Sequence, residues 1–287
     1  MRFVNSHRYS GSGYTPVAFL YDDSVGSYSL RVLPTTTTWT QALISVKGSN
    51  GVTDVFPNAS GTIDGTSLTT SGDTFDVWNT SGTSDISVQS WYGQNNSNTI
   101  DSSKTLTSSS NSTSPTLWTL AKGFNYENGN VALFFNGSNV LNSSTANSAL
   151  SSPTSLTITG VVKNTLAASA GEFFNTGIIV SSLRISNNTT PSKKTIGYAP
   201  SELNTIDSET NLSQRITIFY LDGTTRYLAM NGLEQDSSTS TQVWNNTEIS
   251  IGSGFIGNIQ ELTISDEYYT NTLTDLSSEI NTYYQTH

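Results

Sequence analysis

Short runs of β-branched and aromatic residues, many alternating with polar positions, recur along the chain between clusters of Gly, Asn, Ser and Asp. Alternation with period two puts every second side chain on one face, as a half-buried strand requires. The runs are YSLRVL (28–33), ALISVKG (42–48), DISVQSWYG (85–93), VALFFNG (131–137), SLTITGVVK (155–163), GIIVSSLRIS (177–186), RITIFYLDG (215–223), RYLAMNG (226–232) and TEISIGSG (247–254). No helical period separates them, so the pattern predicts an all-β fold, an antiparallel sandwich or barrel and not a parallel α/β sheet. The sharpest turn signal is Asp222-Gly223, which supplies the positive φ of a tight hairpin between two of these runs. The stretch TLTSSSNSTSPT (105–116) reads as a surface loop or a domain boundary. Neither flank carries enough strands for a sandwich of its own, so one domain over 1–287 is expected.

The chain closes differently. In GFIGNIQELTIS (254–265), Ile256, Ile259, Leu262 and Ile264 are apolar, and Gly257 breaks the alternation where a bulge would sit. After a polar loop, Thr272 or Thr274 can cap a helix whose Leu276, Ile280 and Tyr283 or Tyr284 recur at helical spacing. That stripe has to dock on the sandwich.

Composition narrows the function classes. Apolar residues are 34% and aromatics 10%, so a few bulky side chains fill the core. Only 12% of residues are charged, with a formal net charge of -10. The basic residues are scattered, and Lys193-Lys194 is their one adjacent pair, which excludes counterion-release binding to nucleic acid. There are no cysteines, which removes disulfides, thiol nucleophiles and thiolate metal sites. The opening MRFVNSHRYSGSGYTP has no apolar run long enough for a secretory signal, and no later run reaches the length of a membrane span; a product made in the cytoplasm, with no membrane insertion, is expected. Asn-x-Ser/Thr triplets at Asn58, Asn111, Asn136 and Asn211 are what chance gives in such a composition.

For chemistry, the two histidines, His7 and His287, lie near the termini, which argues against His-based acid-base catalysis or a His-ligated zinc. Glycoside hydrolysis needs two carboxyls across the scissile bond. Asp22-Asp23, Asp222 and Glu261 show no spacing that singles out a pair, and all read as solvated turn or surface acids. Sugar binding has better candidates: Trp91 and Tyr92 followed by Gln94 and Asn95, and Trp244 followed by Asn245. A ring covers the C–H face of a sugar while amides bond its hydroxyls. Only one of Trp91 and Tyr92 can face inward on a strand, leaving the other for a ligand or a neighbouring subunit.

The closing strand, short loop and TDLSSEINTYY helix resemble the end of concanavalin A-like (laminin-G-like) domains. Upstream, LYDDSVGSYSLRVL (20–33), ALISVKGSNGVTDVFPNASGTIDGTSL (42–68) and DISVQSWYGQNNSNTI (85–100) resemble, in order and spacing, the start of the α-L-arabinofuranosidase B catalytic-domain family and the phage virion proteins that share its module. The block 128–163 resembles a segment found across laminin-G-like phage proteins. The resemblance implies a concanavalin A-like β-sandwich (jelly roll) with a short C-terminal helix. It also implies a virion role, in a tail, spike or capsid-associated subunit located in the virion, whose partners are other virion proteins, copies of itself and a host-surface glycan. Alternatives are a carbohydrate-binding module, an arabinofuranosidase-type hydrolase, or a jelly-roll capsid protein. The relatives' YDQSG is replaced here by Tyr92-Gly93-Gln94-Asn95-Asn96, and their catalytic glutamate aligns with no particular Glu of this chain, so no catalytic residue carries over. Laminin-G-like domains often bind calcium, and Asp64, Asp73, Asp76 and Asp101 are its loop candidates, although none has EF-hand spacing.

Overall fold

The closing strand, Ile256–Ser265, is buried along nearly its whole length, although it carries Asn258, Gln260, Glu261 and Thr263, so both of its faces must be covered. In the computed structural model, which describes residues 21, 25–34, 37–64, 78, 85–151, 153–165, 171–176, 183–187, 194–198, 201–204, 213–239, 248–266 and 273–284, this strand is central. It pairs antiparallel with Gly26–Ser29 and Leu133–Asn136 on one side and with Ser155–Asn164 on the other. The layer continues through Arg215–Asp222, Thr225–Met230 and Leu233–Thr239. A second layer starts with Gly51–Val55, Ile44–Gly48, Ile86–Tyr92, Thr105–Thr107 and Leu141–Ser143. It ends with Ser250–Ile251, Glu172–Asn175, Arg184–Asn187, Lys194–Tyr198 and Ser201–Asn204. Leu133–Asn136 also pairs with Thr116–Thr119, which ties the layers into one antiparallel ladder. The architecture is an all-β sandwich with a short C-terminal helix, as the pattern predicts.

Alternation builds two apolar clusters. Tyr28, Trp91, Leu106, Phe135, Ile158, Phe173, Phe219, Phe255 and Leu262 belong to the large core between the layers. On the outer face of the first layer, Val161, Ile216, Ile218 and Ala229 pack with Leu276, Ile280 and Tyr284 of the helix Leu273–Tyr284. The helix therefore docks through the stripe its spacing defines, at i, i+4 and i+8. Thr274 lies inside it, and Thr272 is outside the described residues.

Two details differ from expectation. The hairpin turns on Gly223-Thr224, since Asp222 pairs with Thr225, and Gly223 at φ +58° is the residue that needs left-handed freedom. The bulge in the closing strand falls at Gln260, because Val161 and Val162 face Glu261 and Ile259 in turn. Ile259 and Leu262 are three apart and both in the core, which needs one extra residue between them. Gly257 serves close approach instead: a Cβ there would lie 2.0 Å from the Lys163 carbonyl oxygen.

Ile280 is 1% exposed at the centre of the helix seat. The substitution Ile280→Ala should cost about 2–5 kcal/mol in urea unfolding. An unchanged midpoint would mean the helix adds nothing to the fold.

Candidate functional site

The sheet beneath the helix holds a charge. Glu261 is 1% exposed and opposite Ser29 on the neighbouring strand. Arg31 donates to it from Nε at 2.9 Å and from Nη2 at 3.4 Å. The hydroxyls of Tyr284, Ser29 and Tyr21 donate at 3.0, 3.1 and 3.4 Å. A buried carboxylate survives only when paired and saturated with donors in this way. The Arg31 guanidinium also reaches Glu279 of the helix at 3.6 Å and lies 4.5 Å from the Tyr283 ring centroid and 5.4 Å from that of Tyr284. Glu261 was expected to be a solvated acid; the arriving helix and the Arg31 side chain bury it. Burial pushes the Glu279 carboxyl up to about 7, with Arg31 pulling it down and Glu261 pushing it further up. Burial, with the Glu261 charge beside it, raises the Tyr284 phenol as well.

Beside this cluster a hairpin stands up from the sheet. Tyr126–Glu127 pairs with Asn130–Val131 across Asn128-Gly129, whose φ values of +46° and +77° are those of a two-residue I′ turn. Gln260 pins it, directing its amide nitrogen at the carbonyls of Glu127, Asn130 and Val131 at 3.1–3.2 Å. Gln214 in turn donates to the Gln260 carbonyl oxygen. Glu127 is held by Lys163 at 2.8 Å and by Asn258 at 3.1 Å. Asn130 and Asn128 donate to the carbonyls of Tyr283 and Tyr284, which stitches the hairpin to the helix end.

Between hairpin, helix end and residues 62–64 lies an open cavity of about 240 Å³. Tyr126, Asn130 and Val131 line it from the hairpin, Thr62, Ile63 and Asp64 from the opposite loop, and Leu30, Tyr283 and Tyr284 from its floor and end. Tyr126 is 54% exposed. The arrangement offers aromatic rings, an amide, a hydroxyl and one carboxylate around roughly the space of one sugar ring. Neither Glu261 nor Glu279 lines it.

The residues expected to bind a sugar are elsewhere. Trp91 is fully buried, its ring 5.9 Å from that of Tyr28, because a register shift between Ser45 and Val46 turns it into the core. Its face is closed to a ligand. Tyr92 points outward, half-buried, with its hydroxyl donating to Asp54 at 2.9 Å, and its phenol is pushed up to about 12, chiefly by burial. Gln94 is fully buried and braces the backbone by donating to the Arg31 carbonyl and accepting from the Leu33 amide. Asn95, 7% exposed, organises its own turn through Ser97 and Thr99. Both amides are engaged in holding their own loop and strand end together. Trp244 and Asn245 lie outside the described residues, as do His7, His287, Asp22, Asp23, Asp73 and Asp76. Among the described residues no three Asp, Glu or His side chains gather to hold a metal ion, and Asp101 caps its own turn at Ser103. The Asn128-Gly129 dipeptide was the one legible signal for the cavity's hairpin.

No protein-family model and no curated protein sequence matches the chain. Solved structures match in shape. A GH54 α-L-arabinofuranosidase mutant soaked with 4-nitrophenyl α-L-arabinofuranoside gives a TM-score of 0.62 at 10% identity, over 90% of this chain and 62% of that one. A GH54 α-L-arabinofuranosidase with a cyclic sulfate inhibitor gives 0.59 at 11% identity with the same coverage. An arabinofuranosidase complexed with arabinofuranosyl-α-1,2-xylobiose gives 0.58 at 12% identity, again over 90% and 62%. These likenesses establish the sandwich fold. The chain spans 62% of the length of these relatives.

The Glu279 carboxyl gives a pH prediction. It binds its proton more tightly in the folded chain than at its ordinary 4.5, so the stability it contributes is full below about 4.5 and is lost as pH rises through about 7. Glu279→Gln should flatten the melting-temperature profile across that window and exceed the parent above it. Parallel profiles for the two proteins would contradict the assignment.

Proposed function

We propose that this chain is a carbohydrate-binding sandwich whose ligand sits in the cavity between Tyr126 and Tyr283. One observation carries the reading: an exposed tyrosine on a pinned hairpin faces an amide, a hydroxyl and a carboxylate across an open cavity. That combination suits a neutral polyol with one apolar face. Hydrolysis needs two carboxyls flanking the bond, and Asp64 is the one carboxylate among the described residues of the lining, so binding is favoured over turnover. The fold likeness to arabinofuranosidases supports starting with arabinofuranosides as probes.

The virion placement is proposed on the sequence resemblance alone. It predicts that mass spectrometry finds the chain in purified particles, and its absence from them would overturn it.

Tyr126→Ala should weaken binding of an arabinofuranoside by roughly ten-fold or more, as loss of one stacked ring does. Isothermal titration checks this, with release of free arabinose measured in the same samples. Equal affinity of parent and variant would refute the site, and catalytic release of arabinose would turn the reading to a hydrolase.

A further inference from the structure

Resting on that reading, we infer that the ligand is a glycan chain whose neighbouring rings are turned against each other, with one unit in the cavity and the next on the Phe124 ring outside it. Tyr126 is 54% exposed, so its ring reaches past the cavity that it lines. Phe124 stands two residues before it, and Asn125 between them turns inward, donating to the Ala132 carbonyl at 3.0 Å and to the Asn258 side chain at 2.9 Å. Alternation along the extended chain therefore sends both rings to the other, outward side. Phe124 does not line the cavity; it is partly buried, and its packing against the large core fixes its place. The two ring centroids are 6.0 Å apart, close to the repeat of one unit in a glycan chain, and the ring planes meet at 61°. A flat β-1,4-linked chain keeps successive rings nearly parallel and cannot lie on both of these faces at once. A chain whose linkages turn each unit, such as an α-1,5-linked arabinan, can set one C–H face on each ring in succession.

The test titrates methyl α-L-arabinofuranoside, α-1,5-arabinobiose, glucose and cellobiose into the full chain. The biose should bind about two- to ten-fold more tightly than the single arabinofuranoside, the size of one added ring contact, while cellobiose gains nothing over glucose. Phe124→Leu, which keeps an apolar side chain against the core, should bring the biose-to-single-unit ratio to about one, and Phe124→Tyr should restore it. A biose bound no more tightly than the single unit by the parent, a ratio unchanged in Phe124→Leu, or an equal gain for cellobiose over glucose would overturn the inference and leave sugar binding standing. Failure of all four sugars to bind the parent would overturn the proposed function, and this inference with it.

Discussion

One buried charge organises the molecule. Glu261 sits almost fully enclosed in the middle of the central strand, where an unpaired carboxylate would be intolerable. Its donors come from four places: Ser29 at the end of the strand Gly26–Ser29, Arg31 just after it, Tyr21 before it, and Tyr284 on the C-terminal helix. Loss of Arg31 would strand the charge, and breaking such a pair costs about 3–5 kcal/mol. The closing strand and helix are thus bound to the chain's beginning by an electrostatic requirement as well as by apolar burial.

The neighbouring residue carries the consequence to the surface. The bulge that seats Glu261 under the helix leaves Gln260 without a partner in the ladder, and its amide goes to the hairpin at 126–131. Two adjacent residues therefore fix the two walls of the cavity: Glu261 through Tyr284 and the helix, Gln260 through the hairpin. Asn128 and Asn130 then join wall to wall. A cavity held by buried hydrogen bonds on both sides is preorganised, and little ordering entropy remains to be lost when a ligand enters.

The sequence revealed the fold better than the site, for physical reasons. Alternation and turn residues are local, so the strands and the helix stripe of Leu276, Ile280 and Tyr284 were legible. Glu261 was not, because a strand position is polar or buried depending on what covers it, and the cover arrives from the far end of the sheet face. Trp91 and Tyr92 posed a two-way choice that local pattern cannot resolve, since a single register shift decides which ring turns inward. Gln94 and Asn95 looked like ligand amides because nothing local shows that the Arg31 and Thr99 carbonyls will claim them. The bulge at Gln260 could have been read from the three-residue step between Ile259 and Leu262, a more direct sign than the glycine at 257.

The most direct test of this account is a crystal structure of the chain soaked with an arabinofuranoside. Density for a sugar ring is expected between Tyr126 and Tyr283, with Asp64 and Asn130 in hydrogen-bond reach and the Arg31–Glu261 pair undisturbed. A sugar bound at another surface, with this cavity empty at saturating ligand, would contradict it.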